Sequence, residues 1–334
     1  MNGLERYRAV LSGEPCDFLP RLPILMRYAA EHIGSCYGEF ASDYRVLVQA
    51  NLRCAADFGF DQLSAISDPY RETAGFGAQI EFPRDEVPRC QRPPLASSKD
   101  PGSLASPDPR SSERMRDRVR AVAALRSGGG DMFSVMGWIE GPAAEAADLR
   151  GVTAFLMDLM DDPDFSARLM DLCTEVGIEF ARAQIDSGAD TVGVGDAICS
   201  QLSPDLYADL VLPRQRRMVE AIHAAGAWCR LHICGDIAHL LPHIADLGMD
   251  ICDCDWQVDM AHARRVLGDK VVLCGNLDPV AAVKDSCPGD IRSAVRNIYR
   301  SVGDPYMVGA GCEIPSGTPV RNLRALCTPV HTGR

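Results

Sequence analysis

Ala227-Trp-Cys-Arg-Leu-His-Ile-Cys-Gly-Asp236 is the stretch from which the fold is read. Ala227–Ile233 has the length and apolar character of a short buried strand, and Gly235-Asp236 ends it before a helical pattern begins at Ile237. Residues i and i+2 of a strand point the same way, so His232 and Cys234 emerge side by side at its end. An imidazole and a thiol so placed suit zinc or another thiophilic ion, although iron or cobalt accepts the same donors.

Seven further segments read as strands: Arg21–Leu25, Asp61–Ile66, Met132–Ile139, Asp190–Val194, Met249–Cys254, Lys270–Gly275 and Pro305–Ala310. Helical patterns lie between them. The clearest starts at Ser203-Pro204-Asp205, an N-cap followed by proline in the first turn, and runs to Gly226 with Pro213 expected to bend it. Others run from Pro163 to Gly188 and from Ile237 to Gly248, each stopped by glycine. Strands alternating with helices imply parallel βαβ units, and eight of them predict an α/β fold, a single (β/α)8 barrel over residues 1–334. The rival, an open doubly wound sheet, has a G-x-G-x-x-G turn after its first strand as its usual marker, and that turn is absent here. One segment departs from the alternation. Residues 82–112 hold seven prolines and read as a lid, a small hairpin excursion or a disordered insert.

With 334 residues, 46% of them hydrophobic, the chain has ample material for one large core. A net charge of −12 and a pI near 5.1 argue against nucleic acid or an anionic membrane surface as the main partner. Met1–Ala9 carries Glu5, Arg6 and Arg8 where a signal peptide needs an apolar core. No apolar run approaches the ~18 to 20 residues of a membrane span, so a cytoplasmic protein is expected. In that reducing setting most of the fourteen cysteines should be thiols, and most simply small buried hydrophobes, Cys229 and Cys274 among them.

In such barrels chemistry gathers at the C-terminal ends of the strands. His232 and Cys234 close the fifth candidate strand, and Cys312, in Ala310-Gly-Cys-Glu-Ile-Pro315, follows the eighth. Asp68, Glu140, Asp196, and Asn276 with Asp278 follow the second, third, fourth and seventh, so all fall on one rim. Three ligands, His232, Cys234 and Cys312, with the fourth position open describe a catalytic metal. Spacing leaves a rival open: Cys252 and Cys254 on the neighbouring strand would complete a closed Cys3His structural site. Glu313 is placed to fill the fourth metal position or accept a proton, or else to hydrogen-bond a nearby loop. Asp196 would hold His232 in one tautomer or pass a proton, unless it caps a helix or joins a salt bridge. Asp236 reads as the cap of the helix from Ile237, with His239 and His243 one turn apart on that helix. Tyr28, Phe76, Trp138 and Trp256 lie near strand ends, as pocket walls or as packing in the barrel's upper layer.

Leu231-His-Ile-Cys-Gly-Asp236, Val272-Leu-Cys-Gly-Asn-Leu-Asp-Pro279 and Ala310-Gly-Cys-Glu-Ile-Pro-Ser-Gly-Thr-Pro319 carry a resemblance. They resemble the uroporphyrinogen decarboxylase superfamily and, within it, the zinc-dependent cobalamin (corrinoid) methyltransferases, most clearly from about Gly137 onward. The resemblance implies a (β/α)8 barrel with zinc on His232, Cys234 and Cys312, in preference to Cys252 and Cys254. It further implies methyl transfer between a methyl-corrinoid protein and a small thiol-type acceptor or a methylated, for example methoxylated, donor. No corrinoid-binding segment is legible in this chain, so methylcobalamin would be brought by a partner corrinoid protein. The chemistry is coherent: methylating a thiol needs a thiolate, and coordination deprotonates a thiol outright. The decarboxylases bind their propionates with several N-terminal arginines, whereas Leu22–Ala30 here offers one, Arg27, which disfavours a substrate with eight carboxylates. A metal-free decarboxylase and a non-catalytic metal-binding barrel are the other two readings.

Overall fold

Strands rich in Val, Ile, Leu and Cys are buried on both faces, as a parallel sheet covered by helices requires. The computed structural model describes residues 1–332. Its strands are β1 (Gln62–Ser64), β2 (Ile80–Glu81), β3 (Arg89–Cys90), β4 (Ser134–Glu140), β5 (Thr191–Gly195), β6 (Trp228–Ile233), β7 (Ile251–Cys254), β8 (Val272–Cys274) and β9 (Tyr306–Met307). Seven of them form one curled parallel sheet in the order β1-β4-β5-β6-β7-β8-β9, while β2 and β3 pair antiparallel as a separate hairpin. This is a TIM-like α/β fold.

Eight regular strands are not formed. The first expected strand, Arg21–Leu25, contributes one isolated parallel bridge, from Arg21 to Val308. Pro20 and Pro23 flank that bridge, and neither has an N–H to extend the ladder. The segment still lies between β9 and β1: Leu22 donates its N–H to Val308, and Asp61 donates its own to Arg21. Asp61 is pinned there by the guanidinium groups of Arg6 (2.6 Å) and Arg21 (3.0 Å).

Two expected helices are modified by proline. The Ser203–Gly226 helix is not bent at one point. A π-helical turn at Tyr207–Val211 precedes the α-helix Leu212–Ala224, which takes Pro213 into its first turn where no N–H is needed. The expected Ile237–Gly248 helix shrinks to Leu241–Ile244, because Pro242 permits a helix to start there but not to run through. Asp236 accordingly accepts only the Ala238 N–H, closing a turn. The helix from Pro163 runs to Asp186. Among the described residues no helix is long and apolar enough to cross a membrane.

The Pro-rich segment follows β2, supplies the turn and second strand of the β2/β3 hairpin, continues through a 3-10 turn at Pro101–Ser103, and leads into the helix Glu113–Gly129. Arg114 of that helix pairs with Asp68 beyond β1 at 2.6 Å, and Leu95 donates its N–H to Leu149. The excursion is thereby fastened to the sheet's C-terminal rim.

Candidate metal centre

Register decides which cysteines meet His232. In the parallel pairing of β6 with β7, His232 stands beside Asp253, and Ile233 beside Cys254. Paired residues share a face, so Asp253 accompanies His232 while Cys252 and Cys254 point the other way, into the apolar core. The closed Cys3His arrangement is therefore not built. The donor atoms of His232, Cys234 and Cys312 all lie within 4.8 Å of one another, the one such group among the described residues. His232 Nε2 is 3.1 Å from Cys234 Sγ, which is 3.9 Å from Cys312 Sγ. Tetrahedral zinc would place its two sulfurs about 3.8 Å apart and nitrogen and sulfur about 3.6 Å apart. The donor set fits the ion.

Asp253 governs the imidazole. His232 donates its Nδ1–H to the Asp253 backbone carbonyl (3.1 Å), with Asp253 Oδ2 at 3.2 Å, which leaves Nε2 facing the sulfurs. Asp253 is fully buried and also takes the Arg230 guanidinium at 2.8 Å. Burial alone would raise its pKa, yet Arg230 and His232 hold it at about 2. Burial would likewise lower the pKa of His232, and the Asp253 carboxylate instead raises it well above the ordinary value. Hydrogen bonds from Cys234 and His232 bring Cys312 down to about 5 against its burial, while Cys234 is pushed up. The cluster thus already favours one thiolate, and a divalent ion would enter by displacing the remaining protons.

The Asp196 carboxylate does not hold the His232 ring; only its backbone N–H meets that residue, at the carbonyl. It is fully buried, accepting the Ala144 N–H (2.7 Å) and the Gln215 side-chain amide (2.7 Å), so it anchors the start of the helix Pro142–Arg150. Burial pushes its pKa up to about 6. Glu313 lies outside the three-donor group, and its Oε1 accepts the Arg27 N–H at 2.8 Å. Burial first, and the negative charge of Cys312 after it, push its pKa up to about 7. His239 donates its Nε2–H to the Leu202 carbonyl at 2.9 Å, and His243 packs against Tyr207, so the two form no metal pair. Asn276 donates to the Asp255 and Val258 carbonyls, and Asp278 caps the turn that follows it.

A cavity of about 220 Å³ opens over the cluster. Ile24, Met26, Ile66 and Trp138 supply apolar wall, Tyr37 and Val87 close the outer side, and Asp68, Glu140, Asp196 and Glu313 contribute carboxyl groups. Of the four aromatics considered from sequence only Trp138 reaches it; Tyr28 and Phe76 belong to the core and Trp256 is exposed. Asp253 and Tyr37 were missed. Asp253 had a signal, since it sits between Cys252 and Cys254 on the strand beside His232, but the cysteines drew the reading. Tyr37 had none, because its helix lies far from any strand end in sequence.

A curled parallel α/β sheet with a His-Cys-Cys cluster at its C-terminal rim defines a TIM-like protein with a candidate metal centre. The chain belongs to the uroporphyrinogen decarboxylase (URO-D) family, which matches residues 2–333. It is 24% identical over 331 residues to the methylcobamide:CoM methyltransferase MtaA of Methanosarcina barkeri, covering 96% of this chain and 95% of that one. It is also 28% identical over 311 residues to the uroporphyrinogen decarboxylase of Gloeobacter violaceus, covering 89% and 88%. In structure it matches a methyltransferase from Methanosarcina mazei with a TM-score of 0.89, at 22% identity over 98% of this chain and 97% of that one, a likeness of fold. Relatives named as methyltransferases, alike over almost the whole chain, support a methyltransferase.

Proposed function

We propose that the chain is a zinc-dependent methyltransferase of a corrinoid system, moving a methyl group between a methyl-corrinoid protein and a small thiol-type acceptor or a methylated donor. The observation that carries this is the convergence of His232 Nε2, Cys234 Sγ and Cys312 Sγ at the floor of an otherwise largely apolar cavity. Those three residues would hold the ion beneath the cavity. When bound, zinc would keep a substrate thiol deprotonated, or polarise the leaving group of a methylated donor. Two cysteinates and a neutral imidazole would balance its charge, so that a substrate thiolate would remain nucleophilic. Asp253 fixes the imidazole's orientation through Nδ1. Glu313, adjacent to Cys312 and titrating near neutrality, is the group we assign to take the acceptor's proton. Ile24, Met26, Ile66 and Trp138 keep water from the reacting atoms. Methylcobalamin would arrive on a partner corrinoid protein docked over the mouth. The Pro-rich excursion, within one domain spanning the chain, supplies Val87 to that mouth.

Metal-free decarboxylation is less well supported. Among the described residues no lysine or arginine lines the cavity, so a polycarboxylate would meet carboxyl groups and no counter-charge. Elemental analysis of wild type, Cys312→Ser and Cys254→Ser tests the proposal. About one zinc per chain is expected, lost with Cys312→Ser and kept with Cys254→Ser. The zinc-loaded protein should then consume free methylcobalamin in the presence of a thiol, read from the cobalamin spectrum. Zinc retained in Cys312→Ser but lost in Cys254→Ser would end the proposal.

A further inference from the structure

We infer that the cavity takes a substrate bearing no negatively charged group, an uncharged or cationic thiol or methyl compound, and turns away anionic ones. The inference rests on the proposed zinc site and concerns what sits above it. Several relatives are named for coenzyme M, which is 2-mercaptoethanesulfonate and carries a permanent negative charge. An enclosed anion needs a cation or several free N–H donors, since burying it unpaired is strongly unfavourable. Here, among the described residues, the wall offers four carboxyl side chains, Asp68, Glu140, Asp196 and Glu313, and no lysine or arginine.

Nearby cations are already engaged. Arg71 gives its guanidinium to Glu140 at 2.6 Å and lies 3.5 Å from Glu72. Arg114 is held by Asp68 at 2.6 Å. In the groove outside the cavity, Arg27 pairs with Glu31 at 2.8 Å and Arg89 pairs with Glu86, beside Asp85. The Arg27 backbone N–H, a natural anion donor at a chain turn, is taken by Glu313. An anion extending from the metal in either direction therefore meets carboxylates or matched pairs.

Burial pushes Glu140, which is engaged by Arg71, to about 8, so part of this acid is protonated near neutrality. Protonation removes repulsion without creating a cation, and an uncharged ligand is then accommodated at little cost. A cationic ligand gains more. It restores the carboxylates to their charged form and has the indole of Trp138 in the same wall, a favourable surface for an ammonium group.

Three thiols of equal reach separate these cases: 2-aminoethanethiol, 2-mercaptoethanol and 2-mercaptoethanesulfonate. Their binding to the zinc-loaded protein is measured by titration calorimetry at pH 7, each constant corrected for the acidity of its own thiol. The cationic and neutral thiols should bind on the order of tenfold or more tightly than the sulfonate. Val87→Arg, at a half-exposed position on the excursion, places a cation at the mouth and should shrink that gap by a similar factor. A wild-type protein that binds the sulfonate as tightly as the others, or a gap unmoved by Val87→Arg, overturns the inference while leaving the proposed methyltransferase intact. Failure of all three thiols to bind protein of confirmed zinc content overturns both.

Discussion

Asp253 shows how a single buried carboxylate sets up a metal ligand. Its Oδ2 faces His232 Nδ1 and Arg230 together, so it orients the imidazole while its own charge is balanced. Asp253→Asn keeps the shape and removes the charge. Zinc affinity should fall about 10- to 100-fold, measured by competition with a chromophoric chelator. Metal-free stability should fall by about 3 kcal/mol in urea, because Arg230 loses its charged partner inside the protein. Asp196→Asn is the control: Asp196 contacts Ala144 and Gln215, so it should leave zinc affinity unchanged. Equal loss of affinity in both variants would dismiss the orienting role. At this scale the sequence was half legible. Strand parity brought His232 and Cys234 together, since both lie on one element. Cys312 lies 78 residues beyond Cys234 and was joined to it by the shared rim of the expected barrel, with resemblance needed to prefer it to Cys252 and Cys254. Asp253 depends on the β6–β7 register, which one chain read alone does not state.

The element that shapes the cavity is β5, Thr191-Val-Gly-Val-Gly195, whose two faces have different duties. Val192 and Val194 pack in the core, and Gly193 and Gly195 leave room for the indole of Trp138 on β4. A Cβ on Gly193 would stand 2.3 Å from Trp138 Cε3, and one on Gly195 2.6 Å from Cζ2. The ring has little freedom to yield, because Gln184 bridges the Trp138 backbone at 2.9 and 3.0 Å and Glu140 takes its Nε1–H at 3.2 Å. Gly193→Ala should therefore destabilise by about 1–3 kcal/mol in urea and shift tryptophan fluorescence as the ring moves toward the cavity. An unchanged spectrum would show that the indole does not rest on β5. Most elements were legible, because continuous apolar runs between glycine stops mark buried parallel strands. Arg21–Leu25 read as a strand for the same reason, and the prolines at 20 and 23 overrode its composition. Pro242 overrode the helix pattern after β6 in the same way.

Across the whole molecule, the buried acids give metal-free protein an unusual dependence on pH. Glu140, Glu313 and Asp196 titrate at about 8, 7 and 6 in the folded chain, against roughly 4 when unfolded. Their folded pKa values are raised, so their contribution is complete below about pH 4 and is lost as pH rises through 6 to 8. Asp253, at about 2, and Asp68, held low by Arg114 and Arg71 against its burial, have depressed values and act oppositely, losing their contribution as pH falls below about 4. His232 and Cys312 shift in opposite senses and largely offset each other above pH 6.5. Stability of the metal-free chain should thus peak near pH 4, with Tm falling on the order of 5 °C between pH 5 and 8. Zinc reverses the slope. Binding must displace protons from His232 and Cys234, so affinity rises with pH, and with it the stabilisation that bound metal confers. Calorimetric melts at matched excess zinc should show the gap between loaded and metal-free Tm widening from pH 5 to pH 8. A gap that stays constant across that range would mean that no proton leaves the cluster on binding, which His232 and two cysteines acting as ligands do not allow.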